Sequence, residues 1–174
     1  MKTTVIRVPL SEKGITKAIQ EVQAYKAQLE ARIKEYLSLL VAEGLEIARA
    51  QVVSMAAYDK GELLDSLSGM MYTDGKKGII FTDCKHAAFV EFGTGVVGEE
   101  NPHPTMPWPY DTKGHGEAGW WYLGDDNDPL NENSLRDDGK RWRWTQGMPS
   151  RPFMHNTAVE LEREALKIAR EVFR

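Results

Sequence analysis

The residues most able to ligate a metal here are four histidines and a single cysteine, and their spacing decides whether they do so. Cys84 and His86 stand two apart, while His103 and His115 fall in one long polar segment. No pair has the spacing of a zinc site, and there is no second thiolate, so these read as scattered polar residues. The acidic run Asp125-Asp126-Asn127-Asp128 lacks the central glycine and the closing bidentate glutamate of a calcium loop. Gly93-Thr94-Gly95 lacks the third glycine and following lysine of a phosphate loop, and no serine, histidine and acid form a recognisable nucleophile motif. No metal, cofactor or catalytic residue is expected.

One carboxylate stands apart. Glu91 lies inside Val90-Glu91-Phe92-Gly93-Thr94-Gly95, between two apolar side chains and just before a glycine-threonine-glycine turn. A carboxylate beside such a turn could in principle act as a general base. With no chemical partner identifiable, a capping or ion-pair role is the better reading. Gly93 and Gly95 allow the chain to turn sharply or to approach another backbone closely.

The five tryptophans, Trp108, Trp120, Trp121, Trp142 and Trp144, all fall in or beside the long polar segment. Interleaved with Arg141 and Arg143 they could stack on bases. They equally suit a protein interface or a core, and the acidic surroundings favour those two. Trp108, Trp120 and Trp121 are the candidate interface residues.

The elements that must position these groups follow from periodicity. Thr3–Val8 is β-branched and reads as a strand or extended arm, within an arm over residues 1–10. Ser11 is a plausible helix cap. From Ile15 to Val52 apolar residues recur at steps of mostly three, four or seven, a helical period. Unbroken, this helix would be roughly 60 Å long, and a break near Gly14 or Gly44 is the alternative. Such a helix either contributes two core segments or also packs on a neighbouring subunit, with Glu30 as a candidate contact. Leu67–Tyr72 and Gly78–Thr82 are β-like around the hairpin signal Asp74-Gly75-Lys76-Lys77. Ala87–Phe92 suits helix or strand. Residues 96–146 read as an insertion loop in which Trp120–Leu123 could pair with Arg141–Trp144. Pro152 opens a final helix with Phe153, Leu161 and Ile168 on one face. The expected fold is α+β: a small antiparallel sheet flanked by a long N-terminal and a C-terminal helix, in a single domain over residues 1–174. Its core should include Leu40, Leu45, Leu67, Ile80, Phe89, Phe92, Phe153 and Leu161.

Composition sets outer bounds. A chain of 174 residues with 41% hydrophobic and 28% charged residues can bury a core of its own. A net charge of −4 gives no support to a nucleic-acid reader, which usually shows a basic face. One cysteine precludes an intrachain disulfide and suits a reducing cytoplasm. Met1–Leu10 has no apolar run of signal-peptide length, and nothing approaches a membrane span. Synthesis in the cytoplasm, without membrane contact, is the expectation.

Three segments in order carry a resemblance. The first is Asp59-Lys60-Gly61-Glu62-Leu63-Leu64-Asp65-Ser66, the second Glu91-Phe92-Gly93-Thr94, and the third Pro149-Ser150-Arg151-Pro152-Phe153. This order resembles the minor tail, or tail-completion (head–tail joining), proteins of long-tailed bacteriophages. There a long helix ends in a proline-valine-aspartate-threonine-glycine-x-leucine-x-x-serine stretch, echoed here by Asp59, Gly61, Leu63 and Ser66 with Lys60 in place of threonine. A strand pair, a glutamate-phenylalanine-glycine-threonine element and a proline-x-x-proline-phenylalanine stretch into the last helix follow. The usual proline before the first turn is absent, Ala57-Tyr58 standing there, and the insertion is longer than the pattern needs. The resemblance implies a non-enzymatic virion protein of the tail or neck, in a homo-oligomeric ring commonly of six subunits. It would join the tail tube or tail terminator protein to head-side connector proteins, with DNA only passing through the lumen. It also implies that the second and third segments lie close together as internal structure. A phage-encoded nucleic-acid-binding or nuclease-like module is the alternative from a different class.

Overall fold

The computed structural model describes residues 8–55, 57, 61–109, 119–124 and 140–174, and the backbone of 134–137. Residues 1–7 of the expected arm over 1–10, Asp59 with Lys60, His115 and the Asp125–Asp128 run lie outside the described residues. The fold is α+β, as expected, with two small antiparallel sheets rather than one. The chain packs as two compact units: Met1–Arg49 with Leu67–Phe81 and Thr157–Arg174, and Ala50–Ser66 with Thr82–Asn156.

The first unit is organised on α1, Glu12–Ser54, a helix of 43 residues. Ser11 caps it, its Oγ accepting from Gly14 N at 3.2 Å. The helix breaks at neither Gly14 nor Gly44. Gly44 serves packing: a Cβ there would collide with Ile80 and come within 2.9 Å of Leu161 Cδ2. The roughly 1 kcal/mol that glycine costs a helix is thus offset by close approach of neighbouring elements. One neighbour is the hairpin of β1, Ser68–Met71, and β2, Gly78–Phe81, paired from Ser68↔Phe81 to Met71↔Gly78. Its turn is the expected one: Asp74 Oδ1 accepts from Lys76 N at 2.9 Å, and Gly75 has φ 66°. The other is α5, Phe153–Val172. Within this unit it meets α1 where Tyr36 packs edge-on against Phe173, ring centroids 5.9 Å apart, and donates to Ala165 O at 3.4 Å.

The second unit carries three short helices, α2 at Glu62–Ser66, α3 at Ala87–Phe92 and α4 at Gly95–Glu100. Its sheet has the order β3-β5-β4, from β3 at Trp120–Leu123, β4 at Ser134–Asp137 and β5 at Lys140–Thr145. The expected pairing of the two tryptophan strands is present, with Trp121 opposite Trp144. The third strand was not expected, because Ser-Leu-Arg-Asp has little strand propensity; the signal that could have found it is the Asp138-Gly139 pair between it and β5, a two-residue hairpin signature. The ambiguous Ala87–Phe92 stretch is helical and buries Ala87, Val90 and Glu91, spaced three and one apart on one face.

That choice of face corrects the expected core. Phe89 is 50% exposed, because the side of α3 that carries it is turned outward. Leu40, Leu45, Ile80, Phe92 and Leu161 are half-buried. Leu67 and Phe153 are buried as expected, joined by Ala48, Val52 and Leu63. Among the described residues, no helix is long and apolar enough to cross a membrane.

Candidate functional site

All the described residues of the three motif segments belong to the second unit. In the first, Gly61 adopts φ 87° and its carbonyl accepts from Asp65 N at 2.9 Å, which starts α2. Leu63 is buried, and Ser66 Oγ lies 2.6 Å from Thr82 Oγ1.

The second and third segments are clasped together. Arg151 N donates to Val90 O at 2.8 Å, and Ser150 Oγ donates to Glu91 O at 2.5 Å. Beyond the glycine turn, Thr94 and Gly95 form antiparallel bridges to β6, Gly147–Met148. Gly93 stands at φ 81°, and a Cβ on it would lie 2.7 Å from Ser150 N and 2.8 Å from Met148 O. Both the backbone conformation and the close crossing therefore demand glycine at this position.

At the centre is the Glu91 carboxylate, on a residue only 7% exposed. Helix α5 starts without a local cap. Pro152 O accepts from Asn156 N at 2.9 Å, which puts proline at the capping position with no side-chain oxygen to offer. Glu91 supplies what is missing. Its Oε2 accepts from Met154 N at 2.9 Å and its Oε1 from His155 N at 3.0 Å, and negative charge there also suits the positive end of the helix dipole.

His103 completes the arrangement. Its Nε2 lies 3.2 Å from Glu91 Oε1, while its Nδ1 faces Met106 N at 3.1 Å and Thr105 N at 3.3 Å. Two N–H donors aimed at Nδ1 make that nitrogen an acceptor, so the ring proton sits on Nε2 and is donated to Glu91. The histidine thus ties the proline-punctuated loop after α4 to the carboxylate. Aromatic rings pack around it: Phe92 at 5.0 Å, His155 at 5.2 Å, and Trp108 stacked on Phe92 at 4.3 Å with an interplanar angle of 3°. A cleft of about 420 Å³ opens alongside, walled by Phe92, Met106, Phe153 and His155.

The capping or ion-pair role expected for Glu91 is what this geometry performs. The carboxylate's oxygens are directed at three donors, two of them helix amides, which is the pattern of a helix clamp, and both Glu91 and His103 also line the cleft. His103, expected to be a scattered polar residue, is instead buried at 6% exposure and a direct partner of Glu91. The legible signal was a helix opened by proline with no cap of its own; the identity of the remote cap was not legible. Trp108, offered as an interface residue, stacks on Phe92 inside the chain, while Trp120 is half-buried and Trp121 is 40% exposed. Trp120, Tyr122, Leu63 and Met148 line a second cleft, of about 840 Å³. Glu30 is exposed on α1, 3.8 Å from Lys26 Nζ. Cys84 Sγ touches His86 at 3.2 Å, and among the described residues no three metal-ligating side chains gather. Comparison with protein-family models, curated proteins and solved structures gives no match.

Proposed function

We propose that this chain is a structural virion protein of a bacteriophage tail or neck, acting in tail completion or head–tail joining as a subunit of a ring at the tail–head junction. The observation that carries the reading is the clasp around Glu91. The glutamate-phenylalanine-glycine-threonine and proline-x-x-proline-phenylalanine segments meet as internal structure, the arrangement that the resemblance implies for them. The motif residues are spent on holding backbone together: Glu91 on α5, Gly93 on a close crossing, Ser66 on Thr82. A protein whose most distinctive residues build a rigid frame suits assembly rather than turnover.

The apolar residues left open on the N-terminal half of α1 support the same reading, because a ring subunit must present surface to its neighbours. Partners in this reading are further copies, commonly six in all, the tail tube or tail terminator protein and the head-side connectors. DNA passes through the lumen, and no cofactor takes part.

Imaging of the virion neck is the direct test. The expected result is density for this chain as a ring where tail meets head, and particles lacking it should have heads and tails that fail to join. Finding the chain inside the capsid or along the genome, with no ring at the junction, would end the proposal.

A further inference from the structure

The stripe of α1 that α5 covers does not stop where α5 stops. Within the first unit, α5 reaches α1 at Tyr36 and ends near Arg32, whose Nη1 lies 3.5 Å from Arg174 O. From there toward the N-terminus, Ile33, Leu29, Val22, Ile19 and Ile15 remain 38–54% exposed. Their spacing is a heptad seam: Ile15, Val22, Leu29 and Tyr36 repeat every seven residues, as do Ile19, Lys26, Ile33 and Leu40. The second series is interrupted once, by Lys26.

We infer that the free chain pairs with a second copy of itself through this seam, the two α1 helices running antiparallel from Ile15 to Ile33. Ile15 of each copy then packs near Ile33 of the other, Ile19 near Leu29, and Lys26 beside Val22. Three observations select this occupant and orientation. The seam is continuous with the interface that α5 already makes, and an antiparallel α1 runs in the same direction as α5, taking up the stripe where α5 ends. It brings the N-terminus of the second copy's α1, with Glu12 and Lys13, to the C-terminal end of α5, with Arg170, Glu171 and Arg174; opposite dipole ends meet there, and each end offers both signs of charge. A parallel pairing would instead set Lys26 directly against Lys26, two like charges in one layer, which the antiparallel pairing separates.

The area is adequate. At roughly 80–100 Å² left open on each apolar residue of the stripe, Tyr25 included, each copy offers roughly 500–600 Å² before flanking stems are counted, the low end of specific interfaces. The pairing is therefore concentration-dependent. It does not rest on the virion reading: it concerns the free chain, and because a two-fold pairing closes on itself, a ring that used this stripe would form only after the pair had parted.

The test uses the full chain in a Cys84→Ser background, so that engineered thiols are the only ones present. Mass measurement at micromolar concentration should give two copies. Gln23→Cys, near the two-fold axis, should crosslink to itself under oxidation. Ile19→Cys should not, but mixed with Leu29→Cys it should form the heterologous crosslink. Val22→Asp should reduce the mass to one copy while leaving the circular dichroism and thermal midpoint of the subunit in place, since Val22 is exposed within the chain. A single-copy mass for the parent chain overturns the inference. So does self-crosslinking at Ile19→Cys instead of Gln23→Cys, which would make the helices parallel.

Discussion

The Glu91 clasp and the N-terminal half of α1 are opposite solutions to the same requirement, that every element find something to lie against. In the clasp, a helix start with no cap of its own takes a carboxylate from sixty residues earlier in the chain, and a histidine from the intervening loop holds that carboxylate in turn. The region is complete within one chain. The first twenty residues of α1 have the reverse character. Their helical structure is locally sound, with a serine cap and the i,i+4 pairs Lys17–Glu21 and Lys26–Glu30, yet among the described residues nothing covers their apolar stripe. Exposed ion pairs of this kind contribute only about 0.3–0.5 kcal/mol each, so propensity rather than electrostatics keeps this segment helical. The difference separates what a fold needs in order to exist from what it leaves over for association.

Substitutions should respect that division. The largest effect belongs to Gly93→Val. A β-branched residue at φ 81°, with backbone atoms within 3 Å of its Cβ, should destabilise the chain by at least ~3 kcal/mol and abolish soluble expression or cooperative unfolding. A variant that unfolds at the parent temperature would show that the crossing is not rigid.

Next comes Glu91→Gln. The amide keeps the shape but loses one acceptor and points its NH₂ at an N–H donor of His155, Met154 or His103. A loss of roughly 2–3 kcal/mol, or about 5–10 °C in thermal midpoint, is expected. The same variant sharpens the functional reading: a nuclease assay in which the parent cleaves nucleic acid and the variant does not would defeat the structural role.

His103→Phe should keep much of the ring packing against Phe92 and His155 but leave the amides of Thr105 and Met106 without their acceptor. About 1–2 kcal/mol should be lost, with faster amide exchange at those two residues as the local signature. Equal protection in parent and variant would mean that the histidine does not hold the loop.

The smallest effect on the subunit should come from Glu30→Arg. Its unfolding should stay within about 0.5 kcal/mol of the parent, because the residue is exposed and only weakly paired. Assembly should weaken if its face meets a neighbour, and the ratio of assembled to free chain measures that directly. A folding defect here would erase the contrast between the two regions.

What the sequence determined by itself was what periodicity, turn residues and strand alternation govern. The long helix, its serine cap, the Asp74–Gly75 turn and the final helix follow from periodicity and turn chemistry over short spans, and the pairing of the two tryptophan strands from their alternation. So did the expectation that Glu91 would cap or pair, since no chemical partner for a base was identifiable beside it. Tertiary structure decided the rest. It kept α1 intact at Gly44, where a missing side chain makes room for Ile80 and Leu161. It turned Phe89 outward by choosing the face of α3 that carries Val90 and Glu91 inward. It chose Met154 and His155 as the amides that Glu91 caps and His103 as the donor beside them. These outcomes share one physical cause. Each depends on which groups remote in the chain arrive at the same place, and a hydrogen bond or a close contact between such groups leaves no periodic trace in the residues that make it.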